Sequence, residues 1–224
     1  MPQEKLPIAL RFRGYLPVII DVETAGFDPQ KNALLEIAAV LLNMNDKGFL
    51  TVSHKVASHV TPFEGAKLDQ SALDFTGIDP FHPFRLAIDE KDALQKIFKS
   101  VRKALKESGC NRAILVGHNP SFDLSFVNAA VDRTGIKRNP FHPFSTFDTA
   151  TLGGLVHGQT VLAKIAQVAG FDWDTEKAHS ASYDAEMTAH LFCEMINRWQ
   201  QLANFERIQL SRSESEDSEK ISKF

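Results

Sequence analysis

The sequence predicts an α/β protein: a mixed sheet, an antiparallel meander followed by parallel strands, flanked by helices. Three observations predict it. Apolar, partly β-branched runs separated by short polar turns occupy residues 18–60, and short turns join antiparallel neighbours. From residue 89 onward apolar residues recur at helical spacing around a short buried run at 112–117, as when strands are joined through helices. The 224 residues, 43% hydrophobic and 24% charged, suit one domain with its own core.

Residues 1–16 read as irregular. Val18–Val22 is the first strand. A polar loop, 26–32, leads to Leu34–Met44, a central strand whose one charge is Glu36. Asn45-Asp46-Lys47-Gly48 is a turn, and Phe49–Val60 alternates enough for a third strand. Leu68–Phe75 is a short helix ended by Gly77, and 79–85 is a Pro- and Phe-rich loop. In Asp89–Ser108 the residues Leu94, Ile97, Phe98, Val101 and Leu105 mark one face of a helix that Gly109 stops. Arg112–Gly117 is a short buried strand, and Ser121 caps a helix reaching Arg133. Residues 136–145 read as basic, Pro-rich loop, followed by helical stretches at Asp148–Val156 and Val161–Ala169. The last helix, Asp184–Ala203, has Met187, Leu191, Met195 and Ile196 near one face. Residues 1–205 form the single domain, and 206–224, rich in Ser and Glu, read as a disordered tail. The pentapeptide Pro-Phe-His-Pro-Phe at 80–84 and 140–144 reads as two unrelated loops.

Several classes are disfavoured. No apolar run approaches the roughly 20 residues of a membrane helix, and Met1-Pro2-Gln3-Glu4-Lys5 lacks a signal peptide's layout. Cys110 and Cys193 form neither a metal-ligand spacing nor a disulfide framework. The expectation is a cytoplasmic protein. Net charge is −3, so attraction for nucleic acid has to come from a local patch.

The chemistry begins with Asp21-Val22-Glu23. Side chains two apart on a strand share a face, and like charges that close are costly to desolvate unless a cation joins them. Alone, such a pair is more often a strand ending in a polar loop. A calcium loop counted from Asp21 fails, because its fifth position is Ala25 and its twelfth Asn32. Partners occur later. The strand 112–117 runs into a helix whose first turn holds Asp123, and His179 precedes Asp184 at the start of the last helix. Singly, Asp123 is a helix-dipole partner and His179 an exposed loop histidine. Together, four carboxylates and a histidine are what two-metal phosphodiester hydrolysis requires. Oxygen ligands hold two hard cations roughly 4 Å apart, and histidine, whose reference pKa is about 6.5, takes a proton from water.

Asp21-x-Glu23, Asp123 and His179-x4-Asp184 resemble the motif set of the DEDD 3′-to-5′ exonucleases, histidine branch. Further stretches resemble an RNA-trimming group within that branch, among them Arg11-Phe12-Arg13-Gly14, Gly77-Ile78-Asp79-Pro80, and the segments 137–149 and 192–199. The resemblance spans Arg11 to Trp199. It implies a ribonuclease-H-like fold with a five-stranded sheet, Mg2+ as cofactor (two per site, with Mn2+ as substitute), and release of 5′-nucleotides from 3′ ends. It makes Asp21, Glu23, Asp123 and Asp184 the metal ligands and His179 the general base. It implies a homodimer acting on the 3′ ends of stable RNA such as tRNA, with single-stranded DNA as a further substrate.

An exonuclease must hold terminal bases unpaired, and aromatic stacking does so with little sequence preference. Phe27, Phe75, Phe122 and Phe144 lie in or beside loops, where stacking and ordinary packing are about equally expected from sequence; the resemblance favours stacking. The family has a glutamate where this chain has Ser71. Phosphate attraction falls to Arg11, Arg13, Lys106, Arg112 and Lys137, within basic stretches that also hold Lys99, Arg102, Arg133 and Arg138. Two alternatives stay open: a DNA polymerase proofreading subunit, and a non-catalytic nucleic-acid-binding module.

Overall fold

A computed structural model describes the backbone of residues 7–221 and the side chains of residues 8–203. Five strands form one sheet in the order β3-β2-β1-β4-β5. These are β1 (Tyr15–Thr24), β2 (Leu34–Met44), β3 (Leu50–His59), β4 (Arg112–Gly117) and β5 (Phe141–Asp148). β1, β2 and β3 pair antiparallel, whereas β4 runs parallel to β1 and β5 parallel to β4. The expected mixed α/β sheet is therefore present. β1 takes the central place because Val18, Ile19 and Ile20 are fully buried.

The fifth strand takes residues 141–145 from the stretch read as loop and runs on to Asp148, read as the start of a helix. Prolines 140 and 143 argue against a central strand, but β5 is an edge, where a missing N–H costs no ladder bond. Its pairing with β4 is irregular between Ala113 and Leu115. Residues 7–11, read as irregular, form a short helix, α1 (Pro7–Arg11).

The remaining helices are α2 (Gln70–Thr76), α3 (Glu90–Ser108), α4 (Ser121–Thr134), α5 (Thr149–His157), α6 (Leu162–Ala169) and α7 (Ala181–Ile221). α3 buries Leu94, Ile97, Phe98 and Val101, as its spacing predicts. It ends on Gly109 at φ 70, whose N–H returns to the Leu105 carbonyl, a left-handed stop that glycine adopts without strain. Ser121 does not cap α4: Pro120 stands at that position, and Ser121 is the first helical residue.

α7 supports the site. At its start the face toward the sheet is made of alanines: Ala181, Ala185 and Ala189 are buried at successive turns, and Phe192 follows against Phe147 of β5. Met187, Leu191 and Met195 instead join Ile165 and Ala166 in a smaller cluster beneath α5 and α6. On β2 and β3 the residues paired in register with Asp21 are Ala38 and then Ala57, which share its face. Small residues on both sides let the start of α7 approach the sheet closely. The helix continues to Ile221, through most of the segment expected to be disordered. Side chains past residue 203, and residues 222–224 altogether, lie outside the described ones.

Candidate active site

The site forms where β1 leaves the sheet. Asp21, Glu23 and Asp184 each place a carboxylate oxygen within 4.8 Å of the others. The first two share a face through the period of two in β1, and α7 delivers the third from its first turn. Asp184 Oδ2 accepts the His179 N–H at 3.1 Å, while Oδ1 is buried without a hydrogen-bond partner among the described residues.

Asp123 stands alongside rather than within this group. The β1–β4 pairing ends at Ile19–Val116, so the Val22 N–H is left over, and Asp123 Oδ1 accepts it at 3.1 Å. Its charge is nevertheless the largest of the neighbouring carboxylate contributions at Asp21. Burial, then Asp123, Glu23, Asp184 and Glu36, hold the Asp21 carboxyl well above the usual carboxylate range. Burial followed by Asp184, Glu36 and Asp123 pushes Glu23 up to about 8. Burial pushes Asp123 up to about 7, and Asp184 is raised by the same cause.

Four acids that resist ionisation together, with an orphaned oxygen among them, fit a hard divalent cation. Oxygen donors suit Mg2+ and Mn2+, and bound positive charge reverses the repulsion. Asp21, Glu23 and Asp184 are the residues placed to hold it, with Asp123 beside them.

His179 is exposed, at φ 65, in the left-handed region unusual for a residue with a Cβ. Its ring lies against Phe75, centroids 4.3 Å apart. Asn119, four residues before Asp123, is also left-handed, at φ 62. Both carboxylates on helix first turns are thus preceded by a sharp backbone turn.

Next to Glu23 is a slot of about 370 Å³ lined by Phe27, Phe75 and Phe122, with Thr24 and Ser71 as hydroxyl neighbours. Phe27 is 86% exposed and Phe75 67%, so neither is core, and Phe122 meets Phe27 edge-on at 6.1 Å. Phe144 is not part of the slot. It is 78% exposed on β5, with its ring against His142 at 4.6 Å.

The Phe27 loop is held by residues the sequence did not single out. Thr24 Oγ1 donates to the Gly26 carbonyl at 2.7 Å, and Asn32 Nδ2 donates to the Ala25 carbonyl and to Asp69. Gly26 sits at φ 146, where a Cβ would come within 2.4 Å of both Asn32 and Asp69. Asn32 stands in a polar loop in the sequence, and only the fold shows that its amide is buried and so needs these partners.

The basic residues divide differently from their order in the chain. Lys137 and Arg138 face Lys91, Lys99 and Arg102 of α3 across a groove of about 590 Å³. The other expected contacts lie elsewhere. Arg11 is bonded to Gln200, Arg112 donates twice to the Phe141 carbonyl, and Arg13 lies over Tyr15. Lys106 is exposed on α3 outside the groove. Arg133 is paired with buried Glu90 at 2.7 Å and also donates to Pro29, which makes it structural.

Comparison with known proteins agrees with this geometry. A ribonuclease T-type exonuclease family model matches residues 18–192. Ribonuclease T of Photorhabdus laumondii is 59% identical over 207 residues, 92% of this chain and 95% of that protein. Ribonuclease T of Marinobacter nauticus is 58% identical over 199 residues, 89% of this chain and 90% of that protein. Among solved structures, the nuclease domain of 3′hExo, a DEDDh family member bound to rAMP, superposes with a TM-score of 0.64 at 22% identity, covering 81% of this chain and 92% of that one. E. coli Exonuclease I with a dT13 oligonucleotide gives 0.64 at 15% identity over 85% of this chain, which spans 43% of that longer protein. The structural likenesses establish the fold, and the sequence matches establish the family: the chain belongs to the ribonuclease T exonucleases.

Proposed function

We propose that this protein is a two-metal-dependent 3′-to-5′ exoribonuclease that trims the 3′ ends of stable RNA such as tRNA, releases 5′-nucleotides, and also degrades single-stranded DNA. One observation carries the reading: three carboxylates converge within 4.8 Å beside a slot walled by exposed phenylalanines. Converging acids alone would suit many metal sites. Exposed rings at their edge suit a substrate with flat apolar faces, and terminal bases have them.

Asp21, Glu23, Asp123 and Asp184 would hold two Mg2+ ions, or Mn2+ in their place. When bound, such ions activate water and stabilise the leaving oxygen. Phe27, Phe75 and Phe122 stack the terminal bases and so bring the last phosphodiester to the carboxylates. Phe144 serves as a further stacking residue outside the slot. His179 acts as general base, and its position on the loop before α7 lets its ring reach a water beside Asp184. The Lys137 groove carries RNA backbone. It lies just past the far end of α4, whose last residue, Thr134, is 11 residues beyond Asp123, about 16 Å along a helix. That separation suits a homodimer in which one protomer's groove serves its partner's site, while Arg11, Arg13, Lys106 and Arg112, which lie outside the groove, add positive charge elsewhere along the RNA path. Residues 1–205 make up the catalytic unit, working in the cytoplasm.

The test is direct. Pure protein is incubated with 3′-tailed tRNA and with single-stranded DNA, with and without Mg2+, and the products are sized. Stepwise shortening from the 3′ end that requires metal supports the reading. Intact RNA, or internal cleavage, overturns it.

A further inference from the structure

Glu36 is the one charged residue in the apolar strand β2, and the metal chemistry does not use it. In register it lies between Glu23 on β1 and His59 on β3, so the three side chains form a row on the face covered by α7. Its two oxygens are both engaged. Oε1 is 2.9 Å from His59 Nδ1, and Oε2 accepts the Ala181 N–H at 3.2 Å.

The second contact decides the matter. Ala181 is the first residue of α7, and the first N–H groups of a helix have no partner within it. Ser180 supplies its carbonyl to the N–H groups of Tyr183 and Asp184, which leaves the Ala181 N–H to be satisfied from outside. Glu36 does so from the sheet. Two residues earlier the His179 N–H is held by Asp184 Oδ2. The left-handed turn at His179 is therefore pinned on both sides, by Asp184 behind it and by Glu36 ahead of it. The helix start, and Asp184 with it, is tied to the same strands that carry Asp21 and Glu23.

We propose that Glu36 is a positioning residue for the nuclease reaction. Its carboxylate, braced by His59, fixes the height of the α7 start above the sheet, and so the placement of His179 and Asp184 relative to Asp21 and Glu23. The contact is made as a hydrogen-bond acceptor. A negative charge at this place is adverse, since Glu36 adds to the repulsion at both Asp21 and Glu23. Glutamine, with one acceptor oxygen and an amide that can donate to His59, should therefore serve where alanine cannot.

The proposal rests on the nuclease reading, and its test is chosen to separate the two. Glu36→Ala and Glu36→Gln are compared with the parent protein in single-strand hydrolysis at saturating Mg2+ and in amide hydrogen exchange without metal. Glu36→Ala is expected to lower kcat by about 10- to 100-fold, the cost of an ångström-scale misplacement, with KM within about twofold. Glu36→Gln is expected to restore kcat to within about threefold of the parent. In exchange, the amides of residues 179–184 lose protection in Glu36→Ala and regain it in Glu36→Gln, while those of β1 and α3 stay unchanged. A Glu36→Ala protein with parental kcat overturns the proposal. So does a Glu36→Gln protein as impaired as Glu36→Ala, or loss of protection spread over the whole sheet. Should the parent protein prove inactive on nucleic acid, the nuclease reading falls, and the exchange pattern still decides whether Glu36 holds the start of α7.

Discussion

Replacing Asp184 with asparagine should make the metal-free protein more stable while destroying its activity. The carboxyl of Glu23 is pushed up to about 8 by burial first and by Asp184 next. A pKa unit is worth about 1.4 kcal/mol, so a displacement of three to four units represents about 5 kcal/mol of resistance to ionisation. Burial survives the substitution; the Asp184 repulsion does not. Two carboxylates within 4.8 Å repel by about 3 kcal/mol at an effective dielectric of about 20, which sets the upper bound. Against this, α7 loses a first-turn acid worth about 0.3–1 kcal/mol. The His179 N–H loses nothing, because an asparagine oxygen can still accept it. The expected net gain is about 1–2 kcal/mol at pH 8 in EDTA, or about 3–6 °C in melting temperature for a chain of this size.

The sign with pH follows from the same displacement. A carboxyl whose folded pKa lies above its unfolded value binds more protons in the folded state, so stability declines as pH rises from about 4.5 towards 8. The advantage of Asp184→Asn should therefore grow over that window and vanish at its acid end. Saturating Mg2+ should reverse the order, since a ligand at a hundredfold excess over its Kd adds about 2.7 kcal/mol to the protein that binds it. Thermal melts at pH 5, 6.5 and 8, in EDTA and in Mg2+, read all of this. An Asp184→Asn protein less stable than the parent at pH 8 in EDTA, or a difference that ignores pH, would refute the repulsion argument.

Other substitutions test separate parts of the site. His179→Ala should lower kcat at least about 100-fold, the usual worth of a general base, while calorimetric Mg2+ binding stays unchanged; lost binding would make His179 a ligand instead. Phe27→Ala should raise KM for single strands by about 5- to 150-fold, from about 1–3 kcal/mol per stacked base, and leave the melting temperature within about 1 °C, because the ring is already 86% exposed. Gly26→Ala should cost about 1–3 kcal/mol in urea unfolding, since its methyl would meet Asn32 and Asp69 at 2.4 Å. Arg133→Ala strands buried Glu90 and should cost about 3–5 kcal/mol without changing the salt dependence of RNA binding, whereas Lys137→Ala should lower that slope by about one; the opposite assignment would show that Arg133 touches RNA.

What the sequence reveals here, and what it hides, follows from the range of each interaction. Asp21-x-Glu23 is legible because the period of a strand sets its geometry locally, and Leu94, Ile97, Phe98 and Val101 mark α3 for the same reason. β5 is hidden because its prolines argue against a strand until its place at the sheet edge is known. The alanine face of α7 is hidden because alanine signals helix propensity, whereas here it sets a packing distance. Basic residues mislead most. Arg133 and Lys137 look alike in sequence, and only the fold brings buried Glu90 to the first and an open groove to the second. Glu36 carried a readable signal, a lone carboxylate in an apolar strand, but its partner at Ala181 lies 145 residues away.

The alanines between α7 and the sheet have a consequence for ion choice. Ala181, Ala185 and Ala189 on the helix and Ala38 beneath are all buried, so the helix rests on methyl groups as on a thin gasket. The thickness of that layer sets the bite of the carboxylates, as the jaws of a caliper set its reading. Mg2+ needs oxygens at about 2.0–2.1 Å and Ca2+ at about 2.3–2.6 Å. A gasket one methylene thicker would widen the jaws from a place that touches no ligand, and would shift the preference of such a site from the smaller ion towards the larger.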